Sequence, residues 1–381
     1  MRDIIGSPCG SHARGSIAVA IPACNEADRI GRCLTALDRQ VGCRVDDIVV
    51  LVNNSTDHTA DLARRVALSW GAALHVLECS LRPEDAHAGN ARCLAMEAAA
   101  QCVRGDGVLL TTDADGVVDP DWVRANLAVL RAGADVVAGW VDLDPVDWAR
   151  IPAALHEDDA REAAYDALCD EIHATLDPDP HDPLPRHTQH SGASIAVTLA
   201  AYRRVGGVPP LPCGEDRAFL KALRRIDARI RHAPECHVTV SGRIIGRAAG
   251  GMADTIRRRM ITQDPYIDDR LEPAEDCIRR AMMRRRLRLC REAPALLADL
   301  ARDLGLARAG LADDLMRLPF GEVWDAVETA SPVLRPRRVA LHDLERETRQ
   351  AAAFCAGLRG RMAPAAAWAA TAARKFAGQN V

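Results

Sequence analysis

The stretch GDGVLLTTDADGVVDPDW, residues 105–122, decides the prediction of the fold. Residues 108–112 form a short apolar and β-branched run, which is typical of a buried strand. The run leads directly into Asp113-Ala114-Asp115, and Asp119-Pro120-Asp121 then opens a helical pattern. Carboxylates at the carboxyl end of an α/β strand lie where such folds bind ligands, and two of them can hold one divalent cation. Asp, Gly and Pro are also common in solvated turns, so this stretch alone fits both a metal site and a turn.

The preceding residues repeat the same alternation of strand and helix. Apolar runs predict strands over three segments, and helical periodicity follows each of them. The predicted strands are 16–22, 47–52 and 73–78, and the predicted helices are 28–40, 58–70 and 88–102. Four such alternations in succession indicate an α/β fold with a mainly parallel sheet flanked by helices.

Polar side chains follow the first two predicted strands. Asn25 and Glu26 follow the first strand, and Asn53, Asn54 and Asp57 follow the second. Because the carboxyl ends of parallel strands share one edge, these residues are expected to line that edge together with the acid pair. Neither a G-x-G-x-x-G after the first strand nor a G-K-[ST] is present, so a bound phosphate is expected to be held through a metal ion.

The bulk properties of the chain indicate a globular protein. Of its 381 residues, 27% are charged, and the net charge is −4. A net negative charge gives no general attraction to nucleic acid. The sequence contains no run of about 18 apolar residues, so no membrane span is predicted. Residues 1–15 lack the apolar core of a signal peptide. The thirteen cysteines form no C-x-x-C pair, so we interpret them as small hydrophobic residues in a reducing cytoplasm.

Five motifs in order give the chain a resemblance to family 2 glycosyltransferases with the GT-A fold, over roughly residues 15–245. IPACNE resembles the first-strand motif of that family, VNNSTDHT the second-strand motif, and TTDADG its metal-binding D-x-D. HAGNARCLAME resembles the helix start that approaches the diphosphate and sugar of the donor. Gly214-Glu215-Asp216 resembles the motif that carries the base in inverting members.

The resemblance implies a role for individual residues. Mg²⁺ or Mn²⁺ would be held chiefly by Asp115, with Asp113 binding either the metal or the ribose, and His237 is a candidate third ligand. Arg243 is suited to a forked contact with diphosphate. The nucleotide-sugar site would be formed by Pro22, Asn25, Glu26, Asn53, Asn54, Asp57, Asn90, Arg92, Asp113 and Arg243.

The catalytic residues implied by the resemblance are Asp216, as the base, and its neighbour Glu215. Acids in the first turn of a helix are also favoured by the helix dipole, so helix capping is the alternative interpretation of this pair. The same dipole would keep Asp216 ionised, as a base must be.

The composition changes near residue 251. Residues 252–381 are rich in Ala, Arg and Leu at helical spacing, without strand signals. We therefore expect a glycosyltransferase domain over residues 1–251 and an all-helical accessory region over residues 252–381.

The function expected from the sequence is a cytoplasmic, metal-dependent glycosyltransferase of the hexosyltransferase type. It would move a sugar from a nucleotide diphosphate to an unidentified hydroxyl acceptor, with inversion. Two alternatives remain open: a retaining enzyme acting on a small phosphorylated acceptor, in which Glu215 and Asp216 are structural, and a non-catalytic protein that binds nucleotide sugars. The Q-x-x-R-W motif of processive synthases is absent, which favours single transfers.

Overall fold

The computed structural model describes residues 15–246, 250–307 and 310–377, with side chains as far as residue 360. The polar segment 1–15, in which no signal peptide is expected, lies outside the described residues except for Gly15. Within the described part of the chain, no helix is both long and apolar enough to cross a membrane.

Eight strands form one mixed sheet. They are β1 (Ile17–Ala23), β2 (Asp47–Asn53), β3 (Ala73–Cys79), β4 (Val108–Thr111), β5 (Val117–Val118), β6 (Val136–Leu143), β7 (Ile195–Thr198) and β8 (Ile230–Val240). Their order across the sheet is β3-β2-β1-β4-β7-β6-β8-β5. Strand β1 runs parallel to β2 and β4, β2 to β3, and β6 to β8, whereas β7 is antiparallel to both of its neighbours and β5 is antiparallel to β8.

Fourteen α-helices occur in the described residues. They are α1 (Ile30–Asp38), α2 (Thr59–Arg65), α3 (Ala88–Cys102), α4 (Trp122–Arg131), α5 (Pro145–Trp148), α6 (Ala153–Leu176), α7 (Leu199–Arg204), α8 (Glu215–Arg225), α9 (Met252–Ile261), α10 (Ala274–Cys290), α11 (Leu297–Asp303), α12 (Leu311–Arg317), α13 (Phe320–Ala330) and α14 (Leu344–Ala377). The predicted fold class, a mainly parallel sheet flanked by helices with a helical carboxyl-terminal region, is confirmed.

The core of the sheet follows from the apolar runs of the sequence. All seven residues of β2 are buried, as expected for a parallel strand covered on both faces. On α1, the buried residues Ile30, Cys33, Leu34 and Leu37 recur at helical spacing and pack into the same core. Burial of this stripe therefore fixes which side of the helix faces the sheet.

Helices α1 and α2, predicted over residues 28–40 and 58–70, are shorter in the structure. Helix α2 ends at Arg65, where Val66 turns to an extended conformation, and Ser69 is then bound by its backbone N–H and its hydroxyl to the carboxylate of Asp38, each at 2.7 Å. Strand β7 begins at Ile195. The four preceding residues form a turn, and Gly192 within it contacts Arg92 and Asp216, as described below.

The chain divides into two compact units. The first contains residues 1–148, 189–224 and 228–255 and holds the whole sheet, while the second contains residues 149–188, 225–227 and 256–381. In the second unit, Tyr165 and Ile172 of α6 are buried among residues of α10 and α14. The long helix α6, placed by the sequence analysis in the first domain, thus belongs to the second compact unit. The division into a catalytic domain ending at residue 251 and an accessory region stays a prediction.

Candidate active site

Three strands deliver polar side chains to one edge of the sheet. Strand β1 lies between β2 and β4 and runs parallel to both, so the residues after Ala23, Asn53 and Thr111 emerge at the same end of the sheet. The expected grouping of strand-end residues at this edge therefore arises directly from the topology.

The loops after β1 and β2 are tied to each other by the side chains expected to bind the nucleoside. The Asn25 side-chain oxygen accepts a hydrogen bond from the Thr56 N–H at 2.8 Å, and the Asp57 carboxylate accepts one from the Ala27 N–H at 3.1 Å. The Glu26 N–H donates to the Thr59 hydroxyl at 2.8 Å. These contacts fix the shape of the two loops that follow β1 and β2.

Asn54 closes the loop after β2 onto the chain leaving β3. Its side-chain amide donates to the Leu81 carbonyl at 2.9 Å, and its side-chain oxygen accepts from the Leu81 N–H at 3.0 Å. Asn25 and Asn54 have positive φ angles of 53° and 50°, a conformation that asparagine tolerates better than most residues. Asparagine at these two positions thus serves the backbone as well as any ligand.

Asp115 is the more buried member of the acid pair. Its side chain is 12% exposed and lies 3.3 Å from a guanidinium nitrogen of Arg243, which also makes a forked contact with the carboxylate of Glu26. Burial, together with the charges of Asp113 and Glu26, raises the pKa of Asp115 to about 7, although Arg243 opposes the shift. The charged form of Asp115 is therefore disfavoured, chiefly by burial and then by the neighbouring carboxylates.

This cluster fits a divalent cation. Carboxylate oxygens are the ligands that Mg²⁺ and Mn²⁺ prefer, and a buried acid with a raised pKa is stabilised in its charged form by a nearby cation. Asp115 and Asp113 are the residues that would hold it.

Arg92 of α3 is the centre of a buried hydrogen-bond network. Its guanidinium donates to Glu215 at 3.0 Å, to Asp113 at 2.6 Å, to the Thr111 hydroxyl at 2.9 Å and to the Gly192 carbonyl at 2.9 Å. Burial lowers the pKa of Arg92, but the charges of Asp113 and Glu215 outweigh it and hold the pKa above its ordinary range. The guanidinium is therefore a permanent cation that positions both acids.

The two adjacent acids at the start of α8 point to different partners. Glu215 is buried and paired with Arg92, whereas Asp216 is partly exposed and accepts hydrogen bonds from the Gly192 N–H at 2.9 Å and from the Arg217 N–H at 2.7 Å. A Cβ at position 192 would lie 2.5 Å from the guanidinium carbon of Arg92, so only glycine fits there without a shift. Gly192 thus connects Arg92 with Asp216.

The remaining expected residues have the following places. The ring nitrogens of His237 lie 3.1 Å from carboxylate oxygens of Asp119 and Asp142, so this side chain bridges those two acids. Asn90 lies in the first turn of α3, where its side chain donates to the Asp85 carbonyl at 3.0 Å. Pro22 and Asn53 are the penultimate and last residues of β1 and β2. Their roles toward a ligand, and that of His237 toward a metal, stay predictions.

Asp147 contributes to the site, although no sequence motif indicated it. Its carboxylate accepts hydrogen bonds from the Ser241 hydroxyl and the Gly242 N–H, both at 3.1 Å, and these two residues immediately precede Arg243. Asp147 is 95 positions away from Gly242 in the sequence, so no local pattern connects them.

Comparisons with solved structures give matches at low sequence identity. A mannosyltransferase from Pyrobaculum calidifontis, solved with GDP-mannose and Mn²⁺, is 17% identical, with 93% of this chain and 81% of that chain covered and a TM-score of 0.44. TarS from S. aureus with UDP-GlcNAc is 14% identical over 83% of this chain and 91% of that chain, with a TM-score of 0.43. The glucosyl-3-phosphoglycerate synthase of Mycobacterium tuberculosis, with Mn²⁺, UDP and phosphoglyceric acid, is 18% identical over 67% and 81%, with a TM-score of 0.39.

A comparison with curated proteins gives no match. The model of the family described as "Glycosyl transferase family 2", in contrast, matches residues 18–204. That range includes strands β2 to β7, all of β1 except Ile17, the acid pair Asp113 and Asp115, and Arg92. The sheet, its acidic edge and this match agree on a glycosyltransferase with a GT-A fold, in which the match to glycosyl transferase family 2 covers residues 18–204.

Proposed function

We propose that this protein transfers a hexosyl group from a nucleotide-diphosphate sugar to a hydroxyl acceptor, with a divalent metal ion and with inversion at the anomeric carbon. One observation carries the proposal: Arg92 and Gly192 join the acid pair to Asp216. The guanidinium of Arg92 binds Asp113 at 2.6 Å, and Gly192 binds Arg92 through its carbonyl and Asp216 through its N–H, each at 2.9 Å. Hydrogen bonds thereby connect the residues proposed for the donor side with the residue proposed for the acceptor side.

On the donor side, Asp115 and Asp113 would hold Mg²⁺ or Mn²⁺. When bound, the ion neutralises the negative charge that develops on the leaving diphosphate. Arg243 lies beside Asp115, where its forked guanidinium is placed to share that charge. Asn25, Asn53, Asn54 and Asp57 shape the edge at which the nucleoside would lie.

On the acceptor side, Asp216 is the proposed base. It lies in the first turn of α8, a position at which the helix dipole favours acidic residues. Its buried neighbour Glu215 is engaged by Arg92, which leaves Asp216 as the acid able to reach an acceptor hydroxyl. The cytoplasmic location and the absence of a nucleic-acid partner stay predictions.

The test of the base is Asp216→Asn, assayed for transfer and for donor binding. Asn keeps an oxygen that can accept from the Gly192 N–H, so the fold and the donor affinity should be retained. Loss of positioned proton transfer should lower kcat by about 10²–10⁴-fold. Near-full activity of Asp216→Asn combined with its loss in Glu215→Gln would move the base to Glu215.

A retaining mechanism is the second candidate, and one observation favours it. Both carboxylate oxygens of Asp216 already accept hydrogen bonds from backbone N–H groups, as a purely structural acid would. Each oxygen keeps a second acceptor position, so catalysis is still open to it. The anomeric configuration of the product separates the two mechanisms. Donor binding without turnover toward any acceptor would instead identify a non-catalytic nucleotide-sugar binding protein.

A further inference from the structure

A second cluster of metal-ligating side chains lies at the opposite edge of the sheet. Asp47 is the first residue of β2, His75 is the third residue of β3, and Cys102 is the last residue of α3. Because β2 is seven residues long, Asp47 lies about 20 Å from the strand end at which the proposed active site begins. None of the three residues contributes to the site described above.

The geometry of the cluster brings three different ligand atoms together. One ligand atom from each of Asp47, His75 and Cys102 lies within 4.8 Å of the other two. The closest contact is 3.0 Å, between Nε2 of His75 and Oδ1 of Asp47. The imidazole is 40% exposed, so an ion can reach the cluster from solvent.

The carboxylate of Asp47 supplies an independent indication of a ligand. Its side chain is 7% exposed, and its Oδ2 atom is buried without a hydrogen bond from any described residue. A guanidinium nitrogen of Arg104 lies 3.5 Å from Oδ2 without a hydrogen bond to it, and donates instead to the Cys102 carbonyl at 3.3 Å; the Arg104 side chain is 69% exposed. A buried carboxylate oxygen without a hydrogen bond is uncommon in native proteins, because its desolvation is not compensated.

The donor set indicates which ion would satisfy this oxygen. A combination of imidazole nitrogen, thiolate sulfur and carboxylate oxygen suits Zn²⁺, which takes three or four such ligands in tetrahedral geometry. Mg²⁺ and Mn²⁺ prefer oxygen ligands alone, as at Asp113 and Asp115. The two edges of the sheet therefore differ in the metal that they favour.

We propose that Asp47, His75 and Cys102 form a site for a zinc-type divalent ion that joins β2, β3 and the carboxyl end of α3. Three protein ligands leave the fourth tetrahedral position to water. An ion there would fix the amino-terminal edge of the sheet and has no part in the transfer reaction.

The experiment is a titration of the metal-stripped full chain with Co²⁺, which substitutes for Zn²⁺ and reports thiolate ligation by a charge-transfer absorption band. We expect one equivalent of Co²⁺ to bind and to give this band. Zn²⁺ should displace the Co²⁺, and the Asp115→Ala variant should still show the band. Cys102→Ala should abolish the band, and His75→Ala should weaken binding by at least the roughly 10–100-fold that follows loss of an outer-shell partner. Cys93→Ala, on the same helix but outside the cluster, is the matched control and should leave the band unchanged.

Two outcomes would overturn the proposal. One is the absence of a thiolate band in the parent protein, which would make the cluster an ion pair of His75, Asp47 and Arg104 only. The other is an unchanged band and affinity in Cys102→Ala and in Cys102→Ser, each checked for its fold by circular dichroism. Neither outcome bears on the proposed transferase activity, which rests on the other edge of the sheet.

Discussion

Replacement of Arg92 by Met should be among the most damaging single changes in the first compact unit. The substitution keeps a side chain of similar length but removes four hydrogen bonds and the cation that neutralises Glu215. Arg92 and Glu215 are 7% and 9% exposed, so the carboxylate left behind is buried without its charge partner. Breaking a buried pair in this way costs about 3–5 kcal/mol.

The measurement is the free energy of unfolding in urea, compared with that of Arg349→Met. Arg349 and Glu345 also form an ion pair, but their side chains are 70% and 81% exposed, and loss of such a pair should cost less than about 1 kcal/mol. Adding Glu215→Gln to Arg92→Met should restore part of the loss, because the unpaired charge is removed. A cost below about 1 kcal/mol for Arg92→Met would refute the view that this network holds the site together.

Three further predictions concern the acid pair, the second unit and the turn before β7. Asp115→Asn should abolish Mn²⁺-dependent binding of nucleotide diphosphate in a thermal-shift assay, and it should not lower the stability of the fold at pH 8. The reason for the second expectation is that the pKa of Asp115 is raised to about 7, so ionisation of its carboxyl opposes folding as the pH rises from about 4 through 7. Burial, with nearby arginines, lowers the pKa of His173 to about 4, so the contribution of His173 to the free energy of unfolding should fall by about 2 kcal/mol between pH 8 and pH 5. In urea unfolding, the stability difference between the parent protein and His173→Gln should change by this amount over that range. Gly192→Ala should lower both the stability and kcat, because the added Cβ would meet the guanidinium of Arg92. The control is Gly31→Ala, which lies in a helix with open space around the added Cβ and should be neutral or stabilising by up to about 1 kcal/mol. Equal effects of the two substitutions would contradict the packing argument.

Much of the sheet could be predicted because its signals are local. The apolar runs at residues 16–22 and 47–52 are long enough to be buried on both faces, and the structure places β1 and β2 there within one residue at each end. Helix α3 begins and ends at the predicted residues, Ala88 and Cys102. The boundaries of α1 and α2 were predicted less well, because both helices are shorter than their apolar periodicity indicates.

The candidate site could be predicted in composition but not in its internal contacts. Asp113 and Asp115 were found because both follow a strand in an order that the family shares. The role of Arg92 was not predictable from its position in α3, since its contact with Glu215 joins residues 123 positions apart. Asp147 gave no signal at all.

The sequence by itself determined the alternation of strands and helices, the acidic edge of the sheet and the resemblance to a glycosyltransferase family, because periodicity, composition and motif order are properties of neighbouring residues. Only the tertiary structure decided which acid is buried against Arg92, which one faces the turn at Gly192, and that Asp47, His75 and Cys102 meet at the opposite edge. These pairings depend on strand order and on the packing of α3 and α8 against the sheet. Burial then sets their strength, because the same two charges interact far more strongly when water is excluded from between them.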